Sequence, residues 1–227
     1  MYPPSCVFCG ELLDKGEKDL CKECIPLRPF LLSPYCLKCG KEVSSEEEEL
    51  CADCRSYSRS YIKGFPLMGY VEPVSNAVGA FKYNNKRNYS SYFAKELVTK
   101  YGKDFCDLGI QALVPVPIHK KKLRQRGYNQ AELLAKKLGR LLGVPVETGI
   151  IERTINTIPQ KDLSNIEREQ NTKNAFKGTD KIVKYNKVLI VDDIYTTGAT
   201  VEACTRVLLS KGVEDIYYTS ICIGKGY

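Results

Sequence analysis

Eight of the chain's eleven cysteines fall before residue 55, and they repeat. They run as Cys6-x2-Cys9, Cys21-x2-Cys24, Cys36-x2-Cys39 and Cys51-x2-Cys54, each pair beginning fifteen residues after the last. Two residues between cysteines let one tight turn aim both sulfurs at a single ion, and Gly10 and Gly40 follow where such a turn often needs a positive φ. Two knuckles supply the four thiolates of a tetrahedral structural zinc, with enough chain between them for a short hairpin. Two zinc ribbons are therefore expected. Spacing leaves the pairing open; sequential sites, Cys6/Cys9/Cys21/Cys24 and Cys36/Cys39/Cys51/Cys54, are preferred to crossed ones. Four thiolates leave no open coordination position, so these ions would fold the segment and not catalyse. A disulfide framework is disfavoured because the N-terminus has neither the basic start nor the apolar stretch of an export signal.

A second chemistry lies near the other end. Val188 to Val191 is a short, wholly apolar run, as a central parallel strand should be. It leads into Asp192 and Asp193, then Ile194, Tyr195, Thr196, Thr197, Gly198, Ala199 and Thr200, where a helix begins. Two acids at a strand tip can accept hydroxyl hydrogens from a sugar diol. The Thr/Gly loop offers hydroxyls and backbone N–H groups at a helix N-terminus, which favours a phosphate. Together they describe a pocket for a ribose 5-phosphate. Neither the Walker phosphate loop nor the dinucleotide glycine pattern occurs.

The stretch from Val191 to Thr200 resembles the phosphoribosyl pyrophosphate signature of the type I phosphoribosyltransferases. The resemblance implies that Asp192 and Asp193 hold the ribose hydroxyls and Thr196 to Thr200 the 5-phosphate. A second constellation begins at Val114-Pro-Val-Pro117 and continues through His119 into Lys120, Lys121, Lys122, Arg124 and Arg126. Five cations in seven residues could meet the pyrophosphate or grip a nucleic-acid backbone, and guanidinium forks suit phosphate oxygens best. The Pro-Val-Pro-x-His start, the Arg124-x-Arg126-Gly-Tyr-Asn-Gln130 run and Ala80-Phe-Lys82-Tyr83 are similar to the ComF family, as is the segment from Arg153 through Gln160 to Arg168. That family joins a cysteine-rich zinc head to a phosphoribosyltransferase-like body. The resemblance implies a cytoplasmic role in natural transformation, a site for phosphoribosyl pyrophosphate with Mg²⁺, and single-stranded DNA as a partner. DNA-uptake or recombination proteins would be met through the zinc head. Lys82, His119, Arg153, Gln160 and Arg168 become candidate contacts to the ligand. An active phosphoribosyltransferase of nucleotide metabolism is the alternative reading.

These groups need a scaffold to position them. After a polar stretch ending at Tyr61, apolar runs alternate with amphipathic ones. Strands are expected at 112–117, 150–153, 187–192 and 216–222, and helices at 74–83, 89–101, 129–142 and 199–210. Such alternation implies an α/β body with a mostly parallel sheet, helices on both faces, and ligands at the carboxyl ends of the strands. The expected division is a double zinc ribbon at 1–60 and a phosphoribosyltransferase-like domain at 61–227. No apolar run approaches the length of a membrane span. Residues 1–60 carry 8 basic and 11 acidic side chains, and the remainder 26 and 16, within a formal charge of +7. Counting eight thiolates and two Zn²⁺ lowers the head to about −7 while the body stays at +10, a polarity suited to anionic ligands. Cys106, Cys204 and Cys222 stand apart and are expected to be buried core residues.

Overall fold

The computed structural model describes residues 4–155 and 175–224. Its elements in chain order are α1 (Ala52–Ser56), β1 (Gly64–Gly69), α2 (Val74–Tyr83), α3 (Tyr89–Asp107), β2 (Ala112–Pro115), α4 (Lys120–Arg126) and α5 (Gln130–Leu142). Then follow β3 (Ile151–Arg153), β4 (Phe176–Gly178), β5 (Lys187–Tyr195), α6 (Ala199–Ser210) and β6 (Asp215–Ile223). Among the described residues, four strands form a parallel sheet in the order β1-β6-β5-β2.

Both faces of that sheet are covered, which is why β5 is apolar throughout Val188 to Val191. Successive side chains on a strand point to opposite faces. Leu113, Leu189 and Val191 pack with Phe93 and Leu97 of α3 and Leu134 and Leu138 of α5. Val114, Val188 and Ile190 turn the other way, onto Val201, Cys204 and Leu208 of α6 and onto Ile151 and Phe176 of the β3–β4 pair. Helix α5 starts at Asn129, whose side chain accepts from the Ala131 N–H, and stops at the left-handed Gly143.

The expected α/β class with helices on both faces is the one found, and the four expected helices are present. Three local expectations change. The strand at 150–153 does not join the main sheet; β3 pairs antiparallel with β4. Strand β1 is not among the expected strands; its Pro66 lies at the sheet edge, where proline is tolerated. Cys204 and Cys222 are buried, but Cys106 is exposed near the end of α3, off the face that buries Phe93, Leu97 and Phe105.

The cysteine-rich head wraps the free edge of β1. Gly69 N donates to Pro29 O at 2.9 Å and Gly64 N to Lys38 O at 2.8 Å. The first cysteine group packs on α3, with Phe8 edge-on to Tyr92 at 5.7 Å and Lys95 paired with Asp19 at 2.8 Å. The second lies over the opposite face, against Tyr61 and Tyr218.

Candidate functional site

The cysteines gather into the two sequential tetrads. In each, all four Sγ atoms lie within 4.8 Å of one another. Cys9 and Cys21 stand 3.7 Å apart, and Cys39 and Cys51 3.6 Å. Four thiolates around a tetrahedral Zn²⁺ at about 2.3 Å would stand about 3.8 Å apart, whereas a disulfide needs about 2.05 Å. Backbone N–H groups point at the sulfurs: Cys21 N at Cys6 Sγ (3.4 Å) and Cys39 N at Cys36 Sγ (3.5 Å). At Cys6, burial raises the thiol pKa, but the amides of Cys21, Cys9 and Phe8 outweigh it and hold the group at about 7. Both tetrads thus fit a structural Zn²⁺, with no position left over for catalysis.

The second site forms where β2 stops and β5 continues. Pairing between them ends at Pro115 and Val191, so Asp192 and Asp193 extend past β2 at the carboxyl edge of the sheet. Lys82 acts on both acids, and Arg153 on Asp192. Asp193 forms an ion pair with Lys82, at the last turn of α2, at 3.1 Å. Asp192 faces Arg153 of β3, and its Oδ1 accepts from the Asp193 N–H at 2.8 Å. Burial first, then the neighbouring Asp193 charge, push the Asp192 carboxyl up to about 7 against the pull of Lys82 and Arg153. Burial opposes the Lys82 ammonium, but Asp193 and Asp192 outweigh it and raise its pKa.

Lys122 of α4 is half-buried on this side, its pKa lowered by burial and then by Arg153, Arg126 and Lys82. Lys82 and Arg153 thus meet the two acids, and Lys122 and Arg126 add positive charge beside those cations. An excess of partly buried positive charge favours a multiply charged anion. Past the acids, Tyr195 ends β5, and Thr196, Thr197, Gly198, Ala199 and Thr200 carry the chain into α6. Gly198 has φ +87°, and a Cβ there would lie 2.2 Å from Tyr195 Oη, so no other residue fits this bend. The first turn of α6 presents its N–H groups on the same edge as the acids.

The structure brings Lys82, Arg126, Arg153, Asp192 and Asp193 into one neighbourhood. It separates two other candidates. His119 caps α4, its Nδ1 accepting from Lys121 N at 3.2 Å, and Arg124 lies exposed on that helix. Gln160 and Arg168 lie outside the described residues. Two contributors were not singled out in the sequence. Lys122 reads there as one of three lysines, and only α4 turns it inward. Arg59 lies in what reads as a polar link, yet donates from Nη2 to Thr197 O at 2.5 Å; 138 positions separate the pair, and no local pattern announces such a contact.

Comparison with known families matches two parts of the chain. A double zinc ribbon domain matches residues 1–55, and a phosphoribosyl transferase domain matches residues 124–224. The class is thus a phosphoribosyltransferase-type fold behind a zinc-ribbon head. Competence protein F of Haemophilus influenzae is 36% identical over 152 residues, 65% of this chain and 66% of that protein. DNA utilization protein YhgH of Escherichia coli is 30% identical over 156 residues, 67% of this chain and 68% of that protein. Competence protein ComFC of Bacillus subtilis is 29% identical over 143 residues, 63% of this chain and 56% of that protein. The chain belongs to the ComF family.

Proposed function

We propose that the protein handles incoming single-stranded DNA on the cytoplasmic side of DNA uptake, and that its body, residues 61–227, binds phosphoribosyl pyrophosphate with Mg²⁺. The observation that carries the ligand reading is that Asp192 and Asp193, at the end of β5 and just before the 196–200 loop, meet Lys82 and Arg153, with Lys122 and Arg126 adding positive charge beside them. Acids suit the ribose hydroxyls, the helix N-terminus the 5-phosphate, and the cations the pyrophosphate. Mg²⁺ takes oxygen ligands and keeps several waters, so a carboxylate and ligand phosphates are enough to hold it. Calorimetry with phosphoribosyl pyrophosphate and Mg²⁺ should show one site per chain, weakened when Lys82 is changed to Met. Absence of binding by the intact chain would refute the assignment. The same samples, assayed for pyrophosphate release with a panel of bases and amines, distinguish a binding protein from an active transferase.

DNA is assigned to the outer face of α4 and the end of α2. Lys120, Lys121 and Arg124 are exposed there. Beside them Tyr83 is 72% exposed, with the Arg126 guanidinium 4.8 Å from its ring centre. An exposed aromatic ring flanked by cations can stack a base while the lysines follow the backbone. Binding of an oligothymidylate, followed by fluorescence anisotropy, should weaken steeply with salt. Replacing Lys120, Lys121 and Arg124 with Ser should reduce the slope of log K against log salt by about two, at roughly 0.7 per phosphate contact. Tyr83→Ala should cost about 1–3 kcal/mol with the slope unchanged. A salt-insensitive interaction would remove this face from consideration. Among the described residues no helix is long and apolar enough to cross a membrane.

A further inference from the structure

The zinc head does more than cover the sheet edge; it touches the loop assigned to the 5-phosphate. Three consecutive residues just past the second tetrad make the contacts. Arg59, 7% exposed, donates to the Thr197 carbonyl. Ser60 donates from both N (2.7 Å) and Oγ (2.8 Å) to the carboxylate of Glu202, a buried residue in the first turn of α6. Tyr61 Oη and Tyr195 Oη are hydrogen-bonded at 2.8 Å, and Tyr195 immediately precedes the loop.

The same residues connect back to the second tetrad. Tyr195 stacks on Tyr218 with ring centres 4.7 Å apart and planes 9° from parallel. Tyr61 meets Tyr218 edge-on at 5.0 Å. Tyr218 Oη then donates to the carbonyl of Cys39, a tetrad residue, at 2.7 Å. Glycines make room for this stack: a Cβ at Gly64 would lie 2.2 Å from the Tyr218 ring, and one at Gly198 would strike Tyr195. The first tetrad packs against α3 instead, through Phe8 and Tyr92 and through Tyr89 and Cys6.

A trans peptide points its C=O and the following N–H in opposite directions. By holding the Thr197 carbonyl toward the head, Arg59 turns the Gly198 N–H away from it. Ser60 holds the helix start through Glu202, and Tyr61 holds the strand end through Tyr195. Donors fixed in advance bind an anion without the cost of ordering a loop. We propose that Arg59, Ser60 and Tyr61 are positioning residues for a phosphate monoester at the 196–200 loop, anchored by the second cysteine tetrad. This rests on reading that loop as the 5-phosphate site. Part of the ligand-binding apparatus therefore lies in the segment that joins the second tetrad to the body, and the head and body act as one unit.

The test compares intact chains carrying Arg59→Ala, Arg59→Lys and Tyr61→Phe, with Lys95→Ala at the first ribbon as control. Two quantities are read: affinity for ribose 5-phosphate and for phosphoribosyl pyrophosphate with Mg²⁺ by calorimetry, and amide hydrogen exchange at 196–202 in the free protein. Arg59→Ala should weaken both ligands about tenfold or more, the effect of removing a buried charged hydrogen bond, and speed exchange at the loop. Arg59→Lys should restore part of each, and Tyr61→Phe should speed exchange while keeping the ring stack. Lys95→Ala should change neither quantity. Unaltered exchange in both Arg59→Ala and Tyr61→Phe overturns the proposal, whatever the ligand does. Faster exchange in a chain whose wild type binds neither ligand supports the positioning role and refutes the phosphate reading instead. Should Arg59→Ala fail to fold, Arg59→Lys and Tyr61→Phe decide the matter by the same criteria.

Discussion

Asp192→Asn should make the free protein more stable at pH 8 and weaken its binding of phosphoribosyl pyrophosphate by roughly 10- to 150-fold. The folded carboxyl titrates near 7, against an ordinary value of 3.8. Between those values the native state holds a proton that the unfolded chain has released. Stability therefore falls as pH rises through that window, and the full penalty is present above it. The raised value already includes the attraction of Lys82 and Arg153, so it measures the net cost of ionising Asp192 in place. Asparagine removes that cost and can still accept the Asp193 N–H through its side-chain oxygen. At 1.36 kcal/mol per pKa unit, the gain should be about 2–4 kcal/mol at pH 8. It should shrink toward pH 4, close to the unfolded chain's 3.8, and vanish only below that, where the acid is neutral in both states. Thermal melts of the two proteins at pH 4, 6 and 8 give the comparison, and a variant less stable than wild type at pH 8 would contradict it.

Binding should move the opposite way. An ionised carboxylate accepts a ribose hydroxyl strongly, and losing that charged bond costs about 1.5–3 kcal/mol. In the wild type, affinity should rise as pH increases through about 7, while Asp192→Asn should show no such rise. A residue that costs stability while serving the ligand is the usual signature of a functional site. Asp192 differs in this from Asp193, whose charge is matched by Lys82 at 3.1 Å.

The second large effect concerns the metal. Stripping zinc with a chelator should release about two ions per chain and unfold the head, because little else holds it. Among the described residues up to 60, the buried apolar side chains besides cysteine are Val7, Phe8, Leu20 and Leu31. Four such side chains contribute on the order of 10 kcal/mol, against about 1 kcal/mol or more for ordering each residue. Structural Zn²⁺ supplies about 10–16 kcal/mol per site. Circular dichroism and limited proteolysis should show residues 1–60 becoming cleavable as the ions leave. Loss of the head also uncovers the outer edge of β1, now bonded to Pro29 and Lys38, so the stripped protein should associate through that edge. A metal-free head that resists protease would exclude the zinc-ribbon model.

The tetrads should be unequal in a further respect. Cys54→Ser disturbs the site that anchors Tyr218 and the 59–61 segment, and should weaken the phosphate loop. Cys9→Ser disturbs the site packed on α3, and should leave the loop intact.

What the amino-acid sequence determined by itself was local. Metal knuckles need two cysteines two residues apart, a parallel central strand needs an unbroken apolar run, and a phosphate loop needs small residues before a helix. Each demand is met within about ten residues, so it is written in spacing and composition. The family resemblance rested on the same short-range patterns. Tertiary structure alone decided which charges face which acid, that Lys122 turns inward while Arg124 does not, that His119 spends its Nδ1 on a helix cap, and that Pro66 lies in an edge strand. It also placed Arg59 against Thr197 across 138 positions. Contacts of that reach arise from the stacking of whole layers, where the head folds over one sheet edge, and leave no periodic trace along the chain.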